Sequence, residues 1–348
     1  MKLTRKDIIK LLISLALTAW VVYYVSKEID WNELVTNLQK VNYSWVALSV
    51  FLSILSHVLR AYRWKLLLET GNYKTKVSTT YFALMTGYLA NMAIPRLGEV
   101  VRCTALSDQD DIPVSFSLGT VVTDRLLDLF MLGIATLILL LTDFALLGGF
   151  FVNFVDSKLP WLAEYWPYLL LAGLGGLVFL FWLFKESQKK GREDSILLKL
   201  VRFIKETFQG VWSVTRVKHQ AYFWLSTLGI WVLYFLMLYV ISFGYGPTAD
   251  LSLTAGLAVL VMGSLGMATP VQNGIGAYQK FVAEMLVLYG ITYTDGFTFA
   301  VVSHGSQVIA VIVIGFISLM ILNFRKRKKQ LAGQQSENSK PGAAQSAH

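Results

Sequence analysis

One cysteine, Cys103, stands in a chain of 348 residues, so no internal disulfide and no cysteine-based metal cluster can form. The four histidines, at positions 57, 219, 304 and 348, are scattered. None falls into the paired spacing that transition-metal sites use. Neither a metal nor a cofactor is predicted. Charged residues are scarce as well. They make up 15% of the chain, where a soluble domain carries about 25%.

What fills the sequence is apolar. The hydrophobic share is 55%, and it comes in long runs rather than at amphipathic spacing. Ile8–Val25, Tyr168–Phe184, Ala221–Phe243 and Phe297–Leu322 each approach the ~20 residues needed to cross a hydrocarbon core. A soluble protein can bury one such helix but not a series. The reading is an all-α polytopic membrane protein. Met1–Lys10 is basic and precedes the first run, as in a secretory signal. Trp20-Val21-Val22-Tyr23-Tyr24 offers no small-residue cleavage site, so the first helix is expected to be retained.

The net charge of +9 raises nucleic acid as a partner, but its placement points elsewhere. With loops assigned between the apolar runs, 23 of the 31 Lys and Arg residues fall on one side and three, Lys27, Lys40 and Lys158, on the other. This is a positive-inside distribution. It predicts a cytoplasmic-type membrane with both termini in the cytoplasm, and explains the charge by topology and anionic lipid heads.

Along the chain, helix 8–25 is followed by an interfacial amphipathic stretch, 26–42, and by a span at 43–62 ending at Arg60, Arg63 and Lys65. Val77–Ile94 runs into Pro95-Arg96-Leu97-Gly98-Glu99-Val100-Val101-Arg102. A Pro, a Gly and three charges do not suit a continuous lipid-facing helix, and 77–107 is read as a broken re-entrant hairpin. A long helix follows at 114–142, then an outer loop at 143–166, a span at 167–184 and a basic amphipathic surface stretch at 194–215. A span at 221–243 leads to a second hairpin, 251–290, broken at Pro270-Val271-Gln272-Asn273-Gly274-Ile275-Gly276. The last helix, 297–322, ends at Arg325-Lys326-Arg327-Lys328-Lys329, before a polar tail expected to be disordered. That gives a membrane domain at 1–325, a tail at 326–348 and about eight embedded segments. Two broken hairpins entering from opposite sides point to an inverted-repeat transporter with a midplane site.

The run Gly87–Arg102, with Asn91, Pro95, Arg96, Gly98, Glu99 and Arg102, resembles the lysylphosphatidylglycerol synthase transmembrane-domain, or flippase-like, family. Asp124-Arg125-Leu126-Leu127-Asp128 is similar to that family's acidic-Arg-x2-Asp segment, and the turn at Pro270–Gly276 to its second Gly-rich turn. The resemblance spans most of residues 1–325. In this chain Asn273 stands where a Gly is usual, and Gln279 where many members carry a Glu, with Glu284 one turn further on. Fused members add a soluble aminoacyltransferase domain. No such domain is read here, so lysyl transfer by this chain alone is not expected. The resemblance implies movement of an anionic phospholipid or a polyprenyl-linked lipid between leaflets.

Buried charge at mid-membrane costs about 2.5–3.5 kcal/mol per residue on insertion scales, so the intramembrane ionisable groups are the candidate site. Asn91, Arg96, Glu99, Arg102, Gln272, Asn273 and Lys280 are the candidate substrate-binding residues, the arginines suiting a phosphate. The same charges could instead clamp the broken hairpin against its neighbour. Asp124, Arg125, Asp128, Glu284, His304 and Gln307 are the candidate proton-relay or ion-pair residues, with Arg125 expected to reach Asp128 and the carboxylates to face Arg96 or Arg102. Membrane lipids are the expected partners, without nucleic acid. Two further readings stay open: a membrane-embedded transferase on a lipid-linked substrate, and a partner of a separate lipid-modifying enzyme. No Gly-rich phosphate loop in the basic loops favours the transferase.

Overall fold

The computed structural model describes residues 5–149 and 214–338, apart from Glu28, Pro95, Arg96 and Pro270, with a few single positions between 165 and 176. The expected span at 167–184, the amphipathic stretch at 194–215 and most of the loop at 143–166 therefore lie outside the described residues, as does the candidate Arg96. Every regular element among the described residues is helical. They are α1 (Arg5–Ser26), α2 (Trp31–Gln39), α3 (Tyr43–Glu69), α4 (Val77–Ala93), α5 (Leu97–Asp110), α6 (Val114–Thr142), α7 (Gln220–Ser242), α8 (Leu253–Ala268), α9 (Ala277–Leu288) and α10 (Tyr293–Asn338). Four of these, α3, α6, α7 and α10, are long and apolar enough to cross a membrane; α8 and the 15–26 portion of α1 are shorter apolar helices.

Local chemistry sets the boundaries. Asp30 caps α2 by accepting from the Asn32 and Glu33 N–H groups at 2.9 and 3.2 Å, which satisfies two of the free donors of a helix start. α4 and α5 form one hairpin and α8 and α9 the other. In each, the residue before the proline leaves the helical region: Ile94 has ψ 120° and Thr269 has ψ 151°. Steric conflict with the following proline ring produces that shift.

The hairpin arms meet closely because their contact points are glycines. A Cβ on Gly87 would sit 2.7 Å from the Gly98 carbonyl oxygen, and one on Gly266 would sit 2.7 Å from Tyr278 Cα. α10 touches both hairpins. Its Gly315 abuts Leu89 of α4, and its Gly296 abuts Ala283 of α9. α3 packs on α7 and α4, while α6 joins α5 and α8.

Two helices run further than the sequence suggests. α3 continues past residue 62 to Glu69, since Leu66, Leu67 and Leu68 are buried and the two arginines before them are neutralised by α6. α10 continues past Leu322 to Asn338. The turn between α5 and α6 is tied to it by Lys326–Asp108 and Lys329–Asp111 pairs at 2.9 and 2.7 Å, and by Gln109 Nε2 donating to the Leu322 carbonyl at 2.9 Å.

Candidate functional site

Five charged side chains meet where α3, α5 and α6 come together. Arg60 and Arg63 lie one turn apart on α3, and Asp124 and Asp128 one turn apart on α6. Arg63 and Asp124 are fully buried, and Arg60 is 5% exposed. Arg63 donates to Asp124 Oδ1 from Nε and Nη2 at 3.0 and 2.6 Å, and to Asp128 Oδ1 at 2.7 Å. Arg60 Nη2 donates to Asp124 Oδ2 at 2.9 Å and also to Asp128, while its Nη1 donates to the Tyr234 hydroxyl of α7 at 2.8 Å. Removing such charges from water is costly, and multiple charge-assisted hydrogen bonds offset the cost.

The third guanidinium, on Arg102 of α5, is bound differently. It is 3% exposed, and its Nη1 lies 4.0 Å from Asp124 Oδ2. Its Cζ lies over the Trp64 ring, 4.9 Å from the centroid, and Trp64 is fixed by its Nε1 donating to Thr120 at 2.9 Å. Glu99, one turn before Arg102, pairs across to Arg125 at 2.9 Å. That pair forms the outer edge of the cluster, with Arg125 51% exposed.

The two hairpin breaks touch. The Gln272 amide donates to the Met92 carbonyl, and to that of Ala93 at 3.3 Å. These are free carbonyls at the end of α4, which have no partner within the helix. The Gln272 backbone N–H donates to Thr18 Oγ1 of α1 at 2.8 Å. Within the first break, Asn91 Oδ1 accepts from the Gly98 N–H at 2.6 Å. Within the second, Asn273 takes a left-handed conformation at φ 52°, and Gln279 Oε1 accepts from the Gly276 N–H at 2.8 Å. The Gln279 amide nitrogen lies 3.1 Å from His304 Nδ1 on α10.

Residues 8–315 match the family model described as the lysylphosphatidylglycerol synthase TM region. The chain belongs to that family. A curated relative, the UPF0104 membrane protein MJ1595 of Methanocaldococcus jannaschii, is 26% identical over 171 residues, covering 48% of this chain and 47% of its own length. The chain thus spans about half the length of that relative in the match. No solved structure matches it. Family and apolar helices together make this a multi-pass membrane protein.

Within this member of the lysylphosphatidylglycerol synthase TM-region family, the described candidates read from the sequence fall into four groups. Asp124, Asp128, Arg102, Glu99 and Arg125 form the charged cluster. Gln272 joins the two breaks, Asn91 closes the first and Asn273 turns the second. His304 pairs with Gln279, while Gln307 Nε2 donates to Ser49 Oγ of α3 at 3.1 Å. Lys280 and Glu284 pair with each other at 3.0 Å on α9.

Three expectations are corrected. Arg125 pairs with Glu99 and not Asp128, because Asp128 is taken by Arg60 and Arg63 of α3 while Glu99 of α5 comes within 2.9 Å of Arg125. Asp124 is neutralised chiefly by Arg60 and Arg63. Those arginines lie inside the helix packing and not at a span's end. The sequence reading missed their role, although an i, i+3 arginine pair matching an i, i+4 aspartate pair was visible in it. Gln279 was noted only as a departure from the family. Its uncharged amide can accept from Gly276 and donate to His304 at once, which a carboxylate cannot do.

Proposed function

We propose that this chain carries an anionic lipid, a phospholipid or a polyprenyl-linked lipid, between the leaflets of a cytoplasmic-type membrane, with both termini in the cytoplasm. The observation that carries this reading is the Gln272 amide bridging to the carbonyls that end α4. It joins two broken hairpins at the points where helical hydrogen bonding lapses. Irregular backbone is tolerated at membrane depth where protein or water satisfies it, and opposed broken hairpins are the usual setting of a transport site. In this reading α4–α5 and α8–α9 are re-entrant, related by an inverted repeat, and enter from opposite sides. Arg96 and Arg102 receive the lipid phosphate. Asn91, Glu99, Gln272, Asn273 and Lys280 line its path, with Asp124, Asp128, His304 and Gln307 holding the surrounding helices.

Reconstitution into vesicles with a fluorescent-headgroup phosphatidylglycerol tests it. Transport exposes inner-leaflet probe to an impermeant reductant added outside, and Gln272→Ala slows that exposure. A bleached fraction equal to that of protein-free vesicles refutes the reading.

A further inference from the structure

Five consecutive basic residues, Arg325-Lys326-Arg327-Lys328-Lys329, follow the last apolar run without a break in α10. Residues three and four apart share a helix face, so Arg325, Lys326 and Lys329 point one way and Arg327 and Lys328 another. All of the first three meet the first hairpin or its exit. Arg325 Cζ lies over the Phe82 ring of α4, 5.0 Å from the centroid. Lys326 pairs with Asp108 in the last turn of α5 at 2.9 Å, and Lys329 with Asp111 just beyond it at 2.7 Å. Lys329 also donates to the Gln109 carbonyl at 3.3 Å. The four side chains of these two ion pairs are 43–81% exposed. Deeper in the fold, α10 meets the same hairpin by apolar packing, with Gly315 against Leu89. The first hairpin is thus held to α10 twice, once by packing and once by exposed charge.

We propose that this basic face docks on the anionic surface of the cytoplasmic leaflet in competition with the acidic turn, so that Lys326–Asp108 and Lys329–Asp111 form a latch that surface charge opens. The cytoplasmic placement of α10's end rests on the topology proposed above; the latch does not rest on lipid transport. Four to eight basic residues directly beyond a span are the pattern that binds anionic lipid, and this run has five. Exposed ion pairs are individually weak, and the pull of an anionic surface on each basic residue is of the same order. Neither partner wins by a wide margin. The same surface that attracts the lysines repels the carboxylates of Asp108 and Asp111, so it works on both halves of each pair. Opening frees the α5–α6 turn, and with it the base of the first hairpin, from the end of α10, while the Gly315–Leu89 packing stays in place.

Spin-label distances in the reconstituted full chain test the latch. Thr104→Cys on α5 and Gln330→Cys on α10, in a Cys103→Ser background, carry the labels. The vesicles are phosphatidylcholine alone, or mixed with phosphatidylglycerol or with a sulfated glycolipid, which supplies surface charge without a phosphate. Neutral vesicles at low salt are expected to give mainly a short distance. Either anionic lipid lowers the ratio of short to long distances roughly tenfold, the size expected for losing two exposed ion pairs. Salt raised from about 0.01 to 1 M does the same in neutral vesicles, because the screening length falls from about 30 to 3 Å. Asp108→Asn with Asp111→Asn, and separately Lys326→Gln with Lys329→Gln, are open already in neutral vesicles. A distance unchanged by lipid and salt makes the pairs a fixed brace and overturns the proposal, as does either double variant that stays closed. Opening by phosphatidylglycerol but not by the sulfated glycolipid places the trigger in headgroup recognition elsewhere and overturns surface charge. Opening by soluble polyglutamate as complete as that by the charged vesicles overturns the membrane as the partner. Both leaflets carry the added lipid and none needs to cross, so this result is separate from the topology and transport readings, which fail on their own in thiol labelling and in the reductant assay.

Discussion

Asp124→Asn is the sharpest probe of the buried cluster. Asp124 is fully buried and accepts three hydrogen bonds from two arginines, at 2.6, 2.9 and 3.0 Å. Asparagine keeps the shape and one acceptor. It removes the charge, however, and turns an NH2 group toward guanidinium donors. Asp128 then stands alone against three cations. Breaking a buried pair by removing one partner costs about 3–5 kcal/mol. At about 2 °C per kcal/mol for a large domain, the melting midpoint should fall by roughly 6–10 °C. The assay is intrinsic-fluorescence melting of detergent-extracted protein, together with extracted yield.

Two controls separate charge from general damage. Glu99→Gln breaks the pair at the cluster's exposed edge, where an ion pair contributes about 1 kcal/mol or less, so the midpoint should move by about 2 °C at most. The double variant Asp124→Leu, Arg63→Met removes both partners together. Replacing a buried pair with apolar side chains of similar volume is often neutral, so it should melt higher than Asp124→Asn. An Asp124→Asn protein melting within about 2 °C of wild type, or a Glu99→Gln protein equally destabilised, would refute the buried-cluster reasoning.

Other outcomes follow from separate parts of the molecule. Gly98→Ala places a Cβ 2.6 Å from Asn91 Cγ at the hairpin crossing, and overpacking of that kind should cost about 1–3 kcal/mol by the same melting assay. Tyr245, between α7 and α8, is buried and donates to Asp295, and burial first and the adjacent carboxylate second push its phenol above the ordinary value. Its contribution is present below about pH 10 and is lost as pH rises further, so Tyr245→Phe should flatten the alkaline fall in stability. In a Cys103→Ser background, Ser187→Cys should resist an impermeant thiol reagent added outside intact cells; labelling there would overturn the cytoplasmic assignment of the basic segments.

The hairpins were legible because their signal is local. Pro95 and Pro270 stop a helix through the residue before them, and a glycine near each break marks a close approach. Either can be read without knowing what lies opposite. The charged cluster was legible only in part. Asp124 and Asp128 share a face by helical spacing alone, but their partners depend on which helix packs beside α6. Arg60 and Arg63 were placed at a span's end because basic residues usually mark that boundary. The rule fails where a neighbouring helix supplies carboxylates at matching height. For the same reason the Glu99–Arg125 pair could not be read: helical spacing ranks neighbours within one helix, and this contact crosses from α5 to α6.

The two breaks solve one backbone problem in the same way and then diverge. At each, a proline interrupts the helix and a glycine N–H is left free. A side-chain carboxamide accepts from that N–H: Asn91 for Gly98, Gln279 for Gly276. Across the junction a third carboxamide, on Gln272, donates to the carbonyls left free at the end of α4. Neutral amides suit this position because they can donate and accept without bringing a charge that must itself be compensated. Among the described residues the buried charge cluster lies one layer away, on the α3–α5–α6 side, while the layer beside α9 and α10 carries the neutral pair Gln279–His304 and the partly exposed Lys280–Glu284 pair. A symmetric backbone device therefore sits in an asymmetric field.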